Sequence, residues 1–245
     1  MEQALPFLYV LVGSLVGGFV EAATGFGFGI CVMMFFPLCM TMLQASALSS
    51  MISLVLNLSL FFHYRKHAQW KKALLPIGVY IIVSMVIITV LPQVDMRALK
   101  LLFAVFMLVM ACYLAFFSGK MHVRPTPLST MACSVLGGAS DGLFAMGGPP
   151  MIVYFMGLYG NDKLTYIATL QFFFAATCLV STGTRLANGY YTGTVLLLLI
   201  PGLIGQAIGA KLGTKVVDRI SIPVFKKVVY GCLALSGLIT LITTL

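Results

Sequence analysis

Long apolar runs separated by short polar connections make up most of the chain. The four longest stretches without Asp, Glu, Lys or Arg are residues 22–64, 73–94, 164–184 and 186–210. About 20 apolar residues are enough for a helix to cross the hydrocarbon core of a bilayer, and the first stretch is long enough for two elements. The pattern therefore predicts an all-α polytopic membrane protein with about 8–10 helical membrane segments.

The apolar segments form two sets of five, with the same order and similar lengths. The first set covers residues 5–21, 29–42, 43–64, 73–92 and 98–118, and the second covers residues 127–141, 149–160, 164–184, 192–210 and 222–244. Such internal repetition predicts two transmembrane repeats, residues 1–120 and 121–245, which together make one membrane domain.

A gapless alignment supports the repeat. Residues 15–29 align with residues 135–149 at an offset of 120. The matched pairs are Gly17 with Gly137, Gly18 with Gly138, Glu21 with Asp141, Gly27 with Gly147 and, at the same offset, Arg65 with Arg185. An acid, a glycine pair and an arginine in matching positions point to a duplicated unit rather than to glycine-rich composition alone.

The basic residues predict how the two halves are oriented. Cytoplasmic loops carry an excess of Lys and Arg, and placing the loop after the third segment inside puts twelve of the 15 basic residues on that side. The twelve are Arg65, Lys66, Lys71, Lys72, Lys120, Arg124, Lys163, Lys211, Lys215, Arg219, Lys226 and Lys227. Both termini are then external, and the halves are inverted repeats, an arrangement typical of secondary transporters.

The second segment of each half is short for a membrane span. It has about 12–14 residues, or roughly 18–21 Å of helix, and follows a glycine-rich break at 24–29 or 145–150. Proline suits the first turn of a helix, so one helix should begin near Pro149 and its repeat partner near Gly29. The first two segments of each half therefore either both cross the membrane or form a broken, re-entrant hairpin followed by three transmembrane helices.

Composition narrows the functions that such a protein can have. The chain is 60% apolar and only 9% charged, and its net charge of +9 comes from connections between apolar runs, so no nucleic-acid partner is expected. The six cysteines contain no C-x-x-C pair, and no H-E-x-x-H, P-loop or nucleophile-elbow pattern is present. We expect a protein that is not an enzyme and has no metal or cofactor, with the lipid bilayer as its surroundings.

The two glycine-rich breaks are the first candidate site. A helix that begins after such a break presents free N–H groups and the positive end of its dipole, which favours an anion. Two such ends from inverted halves are expected to converge near the bilayer midplane. The candidate substrate-binding residues there are Thr24, Gly25, Phe26, Gly27, Gly147 and Gly148. Close packing of helices is the alternative explanation for these glycines.

Two acids lie within apolar segments, Glu21 and Asp141. An ionisable group inside a membrane is costly, by about 2.5–3.5 kcal/mol on insertion scales, so it is a functional candidate. We predict that these carboxyls exchange a coupling proton with the two sides of the membrane. The alternative is that Glu21 lies close to the far interface after a full crossing.

Arg185 departs from the charge pattern and is a further candidate for binding an oxyanion, because its planar fork of donors suits sulfonate, phosphate or carboxylate. Asn57 and Gln171, on the third segments, are polar candidates for the same substrate cavity. The alternatives are an interfacial anchor for the arginine and hydrogen bonding between helices for the two amides.

Three stretches of sequence resemble one known family. Residues 17–29 (GGFVEAATGFGFG), 142–155 (GLFAMGGPPMIVYF) and 205–238 are similar to motifs of the sulfite exporter (TauE/SafE) family of membrane transporters. The resemblance covers nearly the whole chain. It implies a multi-pass permease of the bacterial inner membrane, with sulfite, sulfonates or sulfoacetate-like anions as substrates.

The sequence therefore predicts a secondary transporter for a small oxyanion that works by alternating access about a midplane site and is coupled to protons. An anion channel is the main alternative, and a membrane redox enzyme is a weaker one. The direction of transport and the existence of a homodimer are left open.

Overall fold

A computed structural model describes residues 5–116, 126–159 and 162–216, together with residues 238, 241 and 242. Helices account for nearly all of the described chain, and no strand occurs in these ranges. The helices are α1 (Leu5–Thr24), α2 (Phe28–Phe35), α3 (Met42–Tyr64), α4 (Trp70–Val90), α5 (Met96–Phe116), α6 (Pro127–Phe144), α7 (Gly148–Tyr159), α8 (Lys163–Ala187) and α9 (Gly193–Val216). The predicted all-α class is confirmed.

Five of these helices are long and apolar enough to cross a membrane, namely α1, α3, α4, α8 and α9. The protein is accordingly a multi-pass membrane protein. By contrast, α2 has 8 residues and α7 has 12, which is about 12 and 18 Å of helix at 1.5 Å per residue. Neither short helix can cross the hydrocarbon core by itself.

The predicted helix starts and breaks agree closely with the structure. The helix expected near Pro149 begins at Gly148, and its partner expected near Gly29 begins at Phe28. The final apolar segment, 222–244, lies outside the described residues apart from three isolated positions. Inverted orientation and external termini stay predictions.

Local sequence explains several of the helix starts. Thr41 precedes α3 in a capping box, in which its hydroxyl accepts from the Gln44 N–H and the Gln44 side chain accepts from the Thr41 N–H. Thr126 precedes α6 in the same way, with Ser129 as its reciprocal partner and Pro127 in the first turn. These residues satisfy N–H groups that a helix leaves without partners at its beginning.

The two halves exchange helices in the packing, because the first helix of each half packs against the fourth helix of the other half. The first helix of the chain, α1, packs against α9, while α6, its repeat equivalent, packs against α4. The third helices, α3 and α8, pack against each other in the centre and run antiparallel, as the pairs Asn57–Cys178 and Phe61–Phe172 show. Two related halves that interlock would give this pattern.

Glycines permit the close approach of the exchanged helices. A Cβ atom added at Gly18 would lie 2.5 Å from the Gln206 carbonyl oxygen of α9, and one at Gly138 would lie 2.6 Å from the Tyr80 carbonyl of α4. On α9, Gly209 faces the backbone carbonyl of Leu15 so closely that no Cβ fits. Small residues at four-residue spacing are a common means of close helix packing in membranes.

We predict that Gly209→Ala destabilises the protein, whereas Gly78→Ala does not. The added methyl at position 209 must push α1 and α9 apart, which should cost about 1–3 kcal/mol. Gly78 lies within α4 with no neighbouring atom near its added Cβ, and alanine there should stabilise by about 0.5–1 kcal/mol. Thermal unfolding of both variants in the same detergent measures the difference, and equal transition temperatures would contradict it.

Candidate functional site

The two glycine-rich breaks meet inside the helical bundle. In the first, Gly25 and Gly27 have φ of 83° and 107°, and in the second, Ala145 has φ of 54°. This left-handed backbone turns each chain sharply between a long helix and a short one, so that α2 packs back against α1, and α7 against α6. Gly29 lies directly against the carbonyl oxygen of Ala145, and a side chain there would collide with it. The breaks of the two halves are therefore in contact.

A small cavity of about 50 Å³ lies where the breaks meet. Its wall combines both breaks with the facing sides of α3, α4 and α8. It is lined by Glu21, Gly27, Gly29, Ile30, Ser53, Asn57, Tyr80, Asp141, Ala145, Met146, Gly147, Gly148, Phe174 and Cys178. Since about 10–15 Å³ is needed for one water, the space suits a few waters or a solute of a few heavy atoms.

The cavity combines acidic groups with backbone donors, and none of the residues that line it is basic. Its charged groups are the carboxyls of Glu21 and Asp141, both almost completely buried. Gly29 and Ile30 in the first turn of α2 and Gly148 in the first turn of α7 also line it, and N–H groups in the first turn of a helix have no acceptor within their own helix. Positive polarity therefore comes from helix ends, and negative charge from side chains.

The side chain of Glu21 binds the N-terminus of α2. Its Oε2 accepts a hydrogen bond of 2.7 Å from the Phe28 N–H, the first residue of that helix. A carboxylate at a helix N-terminus is stabilised both by the bond and by the helix dipole. The backbone carbonyl of Glu21 also forms a hydrogen bond within the first break, since it accepts from the Gly25 N–H at 2.7 Å.

Asp141, the repeat equivalent, has different partners. Its Oδ2 accepts from the Ser181 hydroxyl at 2.8 Å, and that hydroxyl in turn accepts from the Arg185 guanidinium. The carboxyl of Asp141 is thereby directed toward α8.

Arg185 is completely buried and does not line the cavity. Its Nη2 donates to the carbonyl oxygens of Asp141, at 2.5 Å, and Gly142, at 3.5 Å. These carbonyls belong to the last turn of α6, where a cation is favoured by the helix dipole. The arginine lies behind Asp141 and stabilises the end of α6 next to the break.

Six of the predicted site residues line the cavity: Gly27, Gly147, Gly148, Asn57, Glu21 and Asp141. Gln171 lies beside it, where its Nε2 donates to the Gly25 carbonyl at 3.0 Å and so ties α8 to the first break. Phe26 packs against the aromatic cluster that includes Tyr80. The side chain of Thr24 lies outside the described residues.

Several lining residues could not be predicted from the sequence. Tyr80 lies in an uninterrupted apolar run, and nothing in that run distinguishes a lipid-facing tyrosine from one that faces a cavity. In the structure its hydroxyl lies against Gly147, where a Cβ would collide with it. Ser53 and Cys178 lie on α3 and α8 among other small residues, and only the pairing of those two helices brings them to the cavity.

Polar contacts hold α3 and α8 at both ends of their crossing, with the cavity between. Near the start of α3, the Tyr191 hydroxyl donates to the Ala47 carbonyl at 3.0 Å. Near the start of α8, the Gln69 N–H donates to the Thr169 hydroxyl at 3.0 Å. Each contact joins a loop of one half to the third helix of the other.

We predict that Arg185→Gln destabilises the protein strongly, while Arg65→Gln does not. Removing the buried cation leaves the buried carboxyl of Asp141 without a neighbouring positive charge and takes one donor from the last carbonyls of α6, and an uncompensated buried charge typically costs about 3–5 kcal/mol. Arg65, the repeat equivalent, is exposed in the short turn after α3. Thermal unfolding and the fraction of monodisperse protein measure the effect, and equal stability of the two variants would show that Arg185 has no such structural role.

A family of known proteins matches most of the chain. No curated protein and no solved structure matches the chain. The profile of the family described as Sulfite exporter TauE/SafE matches residues 9–240 of the 245-residue chain, and this range includes both breaks, the cavity and all helices except the first residues of α1. The chain belongs to the sulfite exporter TauE/SafE family of membrane transporters.

Proposed function

We propose that this protein is a secondary transporter that moves a small oxyanion, such as sulfite, a sulfonate or a sulfoacetate-like compound, across the bacterial inner membrane together with protons. The observation that carries the proposal is the convergence of two helix N-termini and two buried carboxyls on one small cavity. The membership of a sulfite exporter family supports the same substrate class.

The helix ends supply the means of binding an anion without a fixed cation. Gly29 and Ile30 on α2 and Gly148 on α7 line the cavity within the first turn of their helices. Backbone N–H groups and the positive end of the dipole together stabilise an oxyanion. The size of the cavity favours a compact head group with a few heavy atoms over a sugar or nucleotide.

The two carboxyls supply the coupling to protons. An anion that enters beside ionised Glu21 and Asp141 meets two like charges in a site of low dielectric, where repulsion is strong. Protonation of one or both carboxyls removes that repulsion. Anion and proton would therefore bind together, and neither would be carried efficiently alone.

The contacts at the two ends of α3 and α8 fit alternating access. Tyr191 contacts Ala47 at one end, and Gln69 contacts Thr169 at the other. Because α1 packs with α9 and α4 packs with α6, the proposed motion is a rocking of these two groups about the α3–α8 crossing. Opening one contact at a time would expose the cavity to one side and then the other.

The test is anion flux in proteoliposomes that contain the purified protein. Uptake of radiolabelled sulfite, methanesulfonate and acetate is measured with and without an acidic exterior. We expect saturable uptake of at least one anion, faster with the acidic exterior, and counterflow against a gradient. Uptake without saturation or counterflow would indicate a channel, and no uptake of any anion would refute the proposal.

We predict that the variants Glu21→Gln and Asp141→Asn separate coupling from folding. Both amides still accept the hydrogen bonds that Phe28 and Ser181 donate, so the fold should be kept. At least one of them should transport the anion at a rate that no longer depends on the pH gradient. Glu2, near the N-terminus, provides the control as Glu2→Gln, and an unchanged gradient dependence in both cavity variants would contradict the assigned coupling role.

A further inference from the structure

The two halves of the chain use equivalent carboxyls in different ways. Glu21 corresponds to Asp141, and Phe28, the first residue of α2, corresponds to Gly148, the first residue of α7. In the first half the carboxylate accepts from the helix N-terminus, with a bond of 2.7 Å to the Phe28 N–H. In the second half the carboxyl of Asp141 instead accepts from Ser181 on α8.

The difference has two physical causes. Aspartate is one methylene shorter than glutamate, so its carboxyl reaches less far along the break. In addition, Ser181 and Arg185 attract it toward α8. At the equivalent positions the first half has Phe61, which is apolar, and Arg65, which is exposed. Nothing there competes with the start of α2 for the carboxylate of Glu21.

The beginning of α7 is left with donors but without a side-chain acceptor. The hydrogen bonds of the second break end with the Met146 N–H, which donates to the Ser140 carbonyl at 3.4 Å. In the described part of the chain, the N–H groups of Gly147 and Gly148 have no acceptor from a side chain or from the break. Both glycines line the cavity.

A second, independent feature faces the same cavity. Asn57 on α3 is 3% exposed, and its Oδ1 has no hydrogen-bond partner. Its Nδ2 contacts only the Cys178 sulfur, at 3.8 Å, which is a weak acceptor. A buried amide without strong partners costs free energy. Here the Nδ2 donor is available to an oxyanion, and the Oδ1 acceptor is completed by a ligand that carries a proton, such as bisulfite.

We propose that the substrate anion binds at the start of α7, on the Gly147 and Gly148 N–H groups and the Asn57 amide, which we call the anion subsite. This inference rests on the proposed transport function. Glu21 at the start of α2 is a built-in carboxylate that occupies the equivalent position in the first half. The length of the acid at position 141 therefore decides whether the anion subsite is open, and Asp141 keeps it open because it is short and is held by Ser181.

The substitution Asp141→Glu tests this inference, because the longer acid should reach Gly148 as Glu21 reaches Phe28. Asp141→Gln has the same length without the charge and is the matched control. A charge-assisted hydrogen bond is roughly twice as strong as a neutral one. We expect Asp141→Glu to weaken sulfite binding by about tenfold or more relative to Asp141→Gln, which corresponds to about 1.4 kcal/mol.

The amide of Gly148 can be observed directly by NMR. The sequence has three Gly-Gly pairs, at 17–18, 137–138 and 147–148, so labelling glycine with ¹³C at the carbonyl and ¹⁵N selects the amides of Gly18, Gly138 and Gly148. In wild-type protein, sodium sulfite should shift the Gly148 amide saturably and leave the other two, which lie inside helices, unchanged. In the Asp141→Glu variant, the chemical shift of the Gly148 amide should already differ from the wild-type value without sulfite.

The possible results separate this inference from the proposed function. If sulfite or another anion is transported but does not shift the Gly148 amide of the wild type, the anion subsite is refuted and transport stands. If the Gly148 amide shifts but no anion is transported, the subsite stands and the proposed function is refuted. If Asp141→Glu binds sulfite as tightly as Asp141→Gln, the role of side-chain length is refuted. The wild-type titration decides the location of the subsite even if Asp141→Glu does not fold.

Discussion

Interrupting a helix inside a membrane frees backbone N–H and C=O groups, and a bilayer core offers them no water. This constraint acts on both breaks of the chain. Glu21 accepts from the first N–H of α2, Gln171 donates to the Gly25 carbonyl, and Arg185 donates to the last carbonyls of α6. The polar residues around the cavity therefore form hydrogen bonds with backbone groups that the breaks leave unpaired, besides lining the cavity. The cavity lies where some of these backbone groups still have no partner.

The same interactions connect the two halves. Gln171 on α8 binds the break of the first half, and the two breaks touch where Gly29 meets the carbonyl of Ala145. The close glycine contacts between α1 and α9, and between α4 and α6, hold the helices that carry those breaks. A transporter needs a site that is precise and a surrounding bundle that can move. Here backbone contacts at the breaks fix the walls of the cavity, and the exchanged pairs place α1 with α9 and α4 with α6.

The asymmetry between the halves is as informative as their similarity. Each half has one helix end and one acid at aligned positions, but the glutamate accepts from the start of its own short helix, and the aspartate is bound through Ser181 to Arg185. A buried cation that stabilises the end of α6 also determines where the neighbouring carboxyl points. A difference of one methylene and one network on α8 accompany different hydrogen-bond partners at the two equivalent positions.

The sequence by itself determined the class of protein, the order of the segments, the two breaks and the short helices that follow them, because hydrophobic run length and glycine and proline placement act locally. It also identified Glu21 and Asp141, since a buried acid is costly wherever the chain places it. Only the tertiary structure decided that Arg185 lies behind the cavity, that Tyr80 lines it, and which helix end each carboxyl meets. These outcomes depend on which helices pack together across the two halves, and contacts between residues so far apart in the chain leave no local pattern in the sequence.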